Sequence, residues 1–293
     1  MDSSRLADLM KPQAASYKRF LLRIDGMPKT GKTILAYTAS KQCPHPSTWN
    51  VEKPVELTDI LGLQFEENST LSLAQRGIKV ANVLDWTQRD IDLGTMKTLI
   101  KNLPAIGAEA KKQGIHTVVV DTLSTFNRFL LQKIVEEGSF SSDMERIRAY
   151  GDVDSFHYLL FDNLLRMGLN VIGLVHLQHF APFGEEGGGS SAAAQLKAAA
   201  AKQVDKQTAN LVQGIRTDFI PELRPKVAGH WARLADAVLV AKPTKRVVRA
   251  GESVIDYKFI TESNDDYSAG GRWKIPPIND SYLRPIIEAR YTT

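Results

Sequence analysis

Residues 19–33 decide the fold, reading RFLLRID over 19–25 and GMPKTGKT over 26–33. The first part is a short apolar run that ends at a glycine, which predicts a buried strand. The second part matches the pattern G-x-x-x-x-G-K-S/T in full, and the residues at 32–42 favour a helix. A strand, a glycine-rich turn and a helix in this order predict a phosphate-binding loop of the Walker A type.

Each residue type in this loop suits the binding of phosphates. Gly26 and Gly31 allow a tight turn and a close approach of the backbone, whose N–H groups then face the anion. Lys32 places a cation near the β and γ phosphates, and the Thr33 hydroxyl can hold Mg²⁺. The other loop residues complete the expected nucleotide-binding set, namely Met27, Pro28, Lys29 and Thr30. The loop alone fits both Mg·ATP and Mg·GTP.

Apolar segments alternate with helical patterns along the rest of the chain. The predicted strands are 48–51, 78–83, 116–121 and 170–176, and the predicted helices are 95–113, 125–137 and 152–167. Two further strands, at 235–241 and 253–261, flank a basic stretch and predict an antiparallel pair at the sheet edge. This alternation is typical of an α/β fold, with a mainly parallel central sheet and helices on both faces.

Residues 184–214 differ in composition from the rest of the chain. The sequence GEEGGGSS at 184–191 predicts a flexible spacer, and the alanine-rich tract after it has a high helix propensity. We therefore expect one domain over 18–293, preceded by an extension at 1–17 and interrupted by an insertion or mobile loop at about 180–220.

The composition is ordinary for a soluble protein, with 43% hydrophobic and 24% charged residues. No apolar run is long enough to cross a membrane, and the segment MDSSRLADLMKPQ at 1–13 lacks the apolar core of a secretory signal. The single cysteine, Cys43, cannot form an internal disulfide and fits a reducing compartment. These features predict a cytoplasmic protein that has no membrane partner.

Positive charge is concentrated in residues 202–249, which carry ten Lys/Arg and four Asp/Glu. A local basic excess is typical of a surface that binds a polyanion, and equally typical of a solvated loop or helix face. Trp231 and Phe219 lie in this region. They could stack on nucleic-acid bases, although such aromatic residues are more often part of a core.

Polar residues follow three of the predicted strands. Asp121 ends the strand HTVVVD, where a carboxylate could hold Mg²⁺ together with Thr33. Glu52, in WNVEKP, is a candidate base for an attacking water, and is equally well explained as a surface glutamate. His176 ends NVIGLVH, with Gln178 close behind, where a polar group could contact a γ-phosphate; a histidine that caps the strand is the alternative. His176 and His179 have no further suitably spaced ligands, which argues against zinc.

The order of these segments resembles the RecA superfamily. A phosphate loop is followed by WNVEKP (49–54), HTVVVDTLSTF (116–126) and NVIGLVHLQ (170–178). Within that superfamily, the chain is similar to phage RecA-like ATPases of the Sak single-strand-annealing group. The similarity lies in three segments that span 148–176, 224–242 and 259–277.

The resemblance implies a RecA-like fold, hydrolysis of Mg·ATP and action on single-stranded DNA in phage-type recombination or annealing, in the host cytoplasm. It implies that Glu52 is the catalytic base and that His176, or Gln178, is the γ-phosphate sensor. RecA relatives complete the ATP site with basic residues from a neighbouring subunit, so a homo-oligomer is expected, with Arg272 and Lys274 in the matching region. The insertion at about 180–220 replaces the DNA-binding loop, and its Gly-Ser spacer departs from the family pattern.

Three classes of function share these motifs. The first is an ATPase that acts on single-stranded DNA. The second is an assembly, packaging or regulatory ATPase that acts on a protein partner through the alanine-rich segment. The third is a small-molecule kinase, for which the sequence lacks an evident lid with arginine pairs.

Overall fold

The computed structural model describes residues 19–67, 69–87, 90–138, 142–179, 219–249, 252–262, 269–271, 282–285 and 287–288. The predicted extension at 1–17, the core of the predicted insertion at 180–218, and Arg272 and Lys274 lie outside these residues. The domain boundaries drawn from the sequence therefore stay predictions.

The strands and helices alternate along the first two thirds of the chain. The strands are β1 (Leu21–Gly26), β2 (Val55–Gln64), β3 (Ile78–Asp85), β4 (Thr117–Asp121), β5 (Asn170–His179), β6 (Phe219–Pro221), β7 (Ala237–Arg249), β8 (Glu252–Ile260) and β9 (Gly270–Gly271). The helices are α1 (Lys32–Tyr37), α2 (Leu71–Ala74), α3 (Leu93–Lys112), α4 (Leu123–Glu137), α5 (Asp143–Met167) and α6 (Pro225–Leu234).

One sheet organises the molecule, in the order β3-β2-β4-β5-β1-β7-β8. From β3 to β7 all neighbouring strands are parallel, whereas β8 runs antiparallel to β7. Two short strands add antiparallel pairs, β6 on β5 and β9 on β7. The predicted α/β class, with a mainly parallel central sheet, helices on both faces and an antiparallel edge near the C-terminus, is confirmed.

Helices cover both faces of the sheet, but unequally. Helices α3 to α6 cover one face, where Val118, Phe126 and Phe161 belong to the same buried cluster. The short α1 covers the other face and buries Leu35 and Tyr37 against strand residues. Burial of apolar side chains on both faces explains why the parallel strands are nearly continuous hydrophobic runs. No helix in the described ranges combines the length and apolarity that a membrane crossing requires.

Trp231 of α6 is a core residue and not a platform for bases. Its side chain is 1% exposed, and its ring meets that of Phe161 edge to face at 4.7 Å between centroids. The stacking role considered from the sequence is therefore wrong for Trp231, because no base can reach the ring. The side chain of Phe219 lies outside the described residues.

The strand expected at 48–51 is wrong. Residues Pro46–Thr48 form a 3₁₀ turn, and a second turn follows at 51–52. The true second strand is β2, whose first half carries Glu56, Thr58 and Asp59 and is only partly buried. Because of these polar residues, the strand does not appear in the sequence as a continuous apolar run.

His157 of α5 is a fully buried histidine. Neither ring nitrogen has a hydrogen-bond partner among the described residues, and the ring meets Phe126 at 5.0 Å between centroids. Burial, helped by the charge of Arg224, lowers the pKa of His157 to about 3. An unfolded chain binds this proton near pH 6.5, so the contribution of His157 to stability is lost as the pH falls below that value.

Replacement of His157 by leucine should stabilise the protein more at pH 5 than at pH 7.5, because leucine gains no proton on unfolding. For a pKa lowered from 6.5 to about 3, the gain at pH 5 is about 2 kcal/mol. Urea unfolding of both proteins at the two pH values measures this gain in the free energy of unfolding. The carboxylates contribute equally to both proteins, so their contribution cancels when one free energy is subtracted from the other. The exposed His116, replaced in the same way, is the control. An equal gain at both pH values would contradict the burial argument.

Candidate nucleotide-binding site

The loop at 26–33 begins where β1 meets its neighbours. Gly26 pairs with His176 on one side and with Ala241 on the other. A Cβ atom on Gly26 would lie 2.6 Å from Thr30 Oγ1 and 3.0 Å from the Ala241 carbonyl oxygen, so only glycine fits. Gly31 has a φ of 80°, a conformation in which glycine is least strained. The backbone conformation of the loop therefore requires the two glycines of the motif.

Lys32 lies inside the loop. Its ammonium group donates hydrogen bonds to the carbonyl oxygens of Gly26, at 2.9 Å, and Met27, at 2.8 Å. Burial lowers the pKa of Lys32 to about 8, and the neighbouring carboxylates of Asp121 and Glu66 oppose that shift. Lys32 therefore stays mainly cationic at neutral pH and holds a positive charge where a phosphate chain would lie.

Thr33 and Asp121, the pair expected to bind the metal, are in direct contact. The Thr33 hydroxyl donates to Asp121 Oδ2 at 2.8 Å. Asp121 is fully buried, and its Oδ1 has no hydrogen-bond partner among the described residues. Burial is the main cause that raises the pKa of Asp121, to about 6, and the charge of Glu66 adds to it. A buried carboxylate oxygen without a partner, beside a hydroxyl, fits Mg²⁺, which prefers oxygen ligands and a few waters.

Zinc is not supported at this edge. Across the described ranges, no group of three or more His, Cys, Asp or Glu side chains gathers as a metal site would require. The side chain of His179 lies outside the described residues. That Thr33 and Asp121 hold Mg²⁺ stays a prediction.

Glu66 is a site residue that the sequence did not reveal. Gln64 of β2 pairs with Asp121 of β4, and the Phe65 N–H donates to the Asp121 carbonyl oxygen at 2.8 Å. The Phe65 ring packs on Phe126 at 4.7 Å between centroids, which anchors the strand end in the core. Glu66 follows directly, and its Oε2 lies 3.9 Å from His176 Nε2. The structure thus places a half-exposed carboxylate beside the phosphate loop.

Glu52 lies just before the amino-terminal end of β2, whereas Glu66 follows the carboxyl-terminal end of that strand. Glu52 is an exposed residue in the turn before β2, and its N–H donates to Asn50 Oδ1 at 2.8 Å. Strand β2 has 10 residues and so separates Glu52 from the carboxyl edge of the sheet by about 30 Å. The assignment of Glu52 as catalytic base is corrected, because it depended on a strand ending at residue 51.

His176 lies at the site as expected, between two carboxylates. Its backbone N–H donates to Ser124 Oγ at 2.8 Å, and its side chain is 7% exposed. Nε2 faces Glu66, and Nδ1 lies 3.6 Å from Glu222 Oε2. Burial and the cations Lys32 and Arg128 lower the pKa of His176 to about 4, so the ring is neutral at neutral pH. The contacts with the carboxylates are therefore not ion pairs.

The remaining expected residues differ in exposure. Met27, Pro28 and Lys29 are exposed along the loop, whereas Thr30 is buried and donates to the Met27 carbonyl oxygen at 2.7 Å. Gln178 is exposed and its backbone pairs with Ile220 of β6. A role of Gln178 at the γ-phosphate stays a prediction.

The carboxyl edge of the sheet therefore gathers a phosphate loop, a buried cation, a hydroxyl–carboxylate pair, a second carboxylate and a neutral imidazole. The loop, Lys32, Asp121 and His176 are predicted from the sequence for this edge. Glu66 is not, although the run LGLQF at 61–65 could have indicated the strand that precedes it. Glu222 is not predicted either, because the sequence near it offers no local signal.

The chain is weakly similar to a solved structure and matches one protein family. A solved structure, that of a KaiC-like protein from the hyperthermophilic archaeon Pyrococcus horikoshii, is similar to 87% of this chain over 82% of its own length, with 10% identity and a TM-score of 0.37. No curated protein matches the chain. The family described as an AAA domain matches residues 21–273, which is most of the sequence. The coarser part of the resemblance, to P-loop ATPases, is thereby confirmed, and the chain belongs to the AAA domain family.

Proposed function

We propose that the protein hydrolyses Mg·ATP with Glu66 as the catalytic base, and that the hydrolysis drives work on single-stranded DNA. One observation carries the catalytic part: Lys32, Asp121 with Thr33, and Glu66 with His176 converge on the phosphate loop at one edge of the sheet. Such a constellation supplies the positioning and the charge that phosphoryl transfer needs.

Each side chain has a distinct task in the proposed reaction. Lys32 binds the β and γ phosphates, and Asp121 and Thr33 hold Mg²⁺, which neutralises part of the phosphate charge. Glu66 removes a proton from a water that attacks the γ-phosphorus, and the bond to the β-phosphate oxygen breaks to release ADP. The half-exposed position of Glu66 supports this role, because a water can reach its carboxylate.

The proposed action on DNA is supported by the position of the basic hairpin β7–β8. The last pair of β1 with β7 is Gly26 with Ala241, so residues 242–249 extend past the edge at which the phosphate loop begins. This arm carries Lys242, Lys245, Arg246 and Arg249. A basic arm next to the nucleotide suits a phosphate backbone. Phage-type annealing, and a homo-oligomer with ATP near a subunit interface, belong to the same proposal.

Replacement of Lys32 by alanine should weaken binding of Mg·ATP by about 100-fold, which is the effect of losing one strong charge-assisted interaction. Titration calorimetry with a slowly hydrolysed ATP analogue measures it. The matched control is Lys101→Ala, which removes an exposed lysine from α3. Equal affinities of the Lys32 and Lys101 variants would place the nucleotide elsewhere.

Glu66→Gln should leave the affinity for ATP unchanged and lower kcat on the order of 100-fold or more, since the amide cannot accept a proton. Glu52→Gln should hydrolyse ATP at the normal rate, because Glu52 lies at the opposite edge. Single-turnover phosphate release separates binding from chemistry in both variants. A slow Glu52 variant with a normal Glu66 variant would restore the assignment that the sequence favoured.

Single-stranded DNA should bind in a salt-sensitive manner and should raise the ATPase rate. Mobility of a labelled oligonucleotide at low and high salt, with and without ATP, measures binding, and the solution mass reports the oligomer. Reversal of charge at Lys245 and Arg246 should weaken binding, whereas reversal at Lys101 should not. Unchanged mobility together with a DNA-independent ATPase rate would overturn the DNA proposal and favour a protein-directed ATPase.

A further inference from the structure

The chain returns to the sheet beside His176 after residues 180–218. Strand β6 pairs antiparallel with the end of β5, with Leu177 opposite Pro221. One residue further on, the Glu222 N–H donates to the His176 carbonyl oxygen at 2.7 Å. Backbone pairing therefore fixes Glu222 next to a residue that is remote in sequence.

The side chain of Glu222 is part of a line of alternating groups. Its Oε2 lies 3.6 Å from His176 Nδ1, and its Oε1 lies 3.5 Å from Arg128 Nε. Arg128 in turn donates to Thr125 Oγ1 at 3.3 Å. On the far side of the imidazole, Glu66 lies 3.9 Å from Nε2. The line thus runs from Arg128 through Glu222 and His176 to Glu66.

A neutral imidazole carries its hydrogen on one nitrogen only, and a carboxylate can only accept. Both nitrogens of His176 face a carboxylate, so the two tautomers compete. Glu222 is nearer than Glu66, less exposed (31% against 40% of the side chain), and braced by Arg128. The separation of 3.6 Å exceeds a direct hydrogen bond, but a carboxylate at this distance still favours a hydrogen on the nitrogen that it approaches. These differences favour hydrogen on Nδ1.

We propose that Glu222 is a positioning residue, which holds His176 as the Nδ1–H tautomer so that Nε2 accepts a hydrogen bond from the attacking water beside Glu66. The proposal rests on the proposed ATP hydrolysis and deepens it. His176 then orients the water for Glu66 and does not donate to the γ-phosphate. A third group that fixes the ring of a working histidine is a recurrent arrangement, since the partner of one nitrogen determines the state of the other.

The tautomer is directly measurable in the full-length protein without nucleotide. Long-range ¹⁵N–¹H spectra of the histidine rings at neutral pH should show His176 as Nδ1–H, with its signals assigned by their loss in His176→Gln. Glu222→Ala should shift the ring towards Nε2–H, whereas Glu222→Gln should retain Nδ1–H through its amide oxygen. Glu109→Ala, at an exposed carboxylate of α3, is the control. An Nε2–H ring in the natural sequence, or an unchanged ring in Glu222→Ala, would overturn the proposal.

Steady-state kinetics test the consequence for the reaction. Glu222→Ala should lower kcat by roughly 10- to 100-fold with KM nearly unchanged, and Glu222→Gln should recover most of the rate. Arg128→Gln, which removes the contact with Glu222 Oε1 and leaves Glu222 in place, should show a smaller loss of the same kind. The tautomer could shift as expected while neither the natural sequence nor any variant hydrolyses ATP. In that case the proposed function is wrong, but the effect of Glu222 on the His176 ring is confirmed. If hydrolysis is present and kcat does not respond to Glu222→Ala, the positioning role is wrong.

Discussion

Parallel pairing of β1 with β5, and of β2 with β4, puts the ends of four strands at one edge of the sheet. Gly26 meets His176 across the first pair, and Gln64 meets Asp121 across the second. Loops that follow these strands must therefore converge, whatever their own sequences. The phosphate loop, the Asp121 carboxylate and the Glu66 carboxylate occupy neighbouring positions because of this register, and not because they are close in the chain.

Two opposite charges, on Lys32 and Asp121, can be buried at this edge because each stabilises the other. Lys32 and Asp121 are both buried, and burial moves the pKa of each towards its neutral form. Each also favours the charged form of the other, which opposes that shift. Removal of Lys32 or of Asp121 would leave the other buried charge with less compensation, which is unfavourable. The site is thus held ready for an anion and a cation together.

Much of the fold could be predicted from local signals, and the failures have physical causes. The strands at 21–26 and 117–121, and residues 171–177 of β5, are buried on both faces, so their apolar runs are conspicuous. Strand β2 could not be predicted from an apolar run, because its amino-terminal half is partly exposed to solvent and carries charged residues. That single error placed the candidate catalytic base at Glu52 instead of at Glu66, the base that we propose.

Glu222 illustrates a limit of a different kind. Its place depends on where the chain returns after residues 180–218, and no local pattern near 222 encodes that path. Trp231 is the converse case, since the ordinary expectation for a large aromatic residue in a helix is burial, and burial is what the structure has. Local patterns thus predict which residues are buried more readily than which remote residues meet.

The three-residue strand β6 joins the backbone at 219–221 to the end of β5, beside the candidate nucleotide site. Glu222 follows directly, so unpairing of β6 would also release Glu222 from His176. A ligand that binds only when β6 is paired therefore also favours the arrangement in which Glu222 lies against His176. Linkage makes this coupling reciprocal: a ligand that prefers His176 in that arrangement stabilises the pairing of β6 by the same free energy.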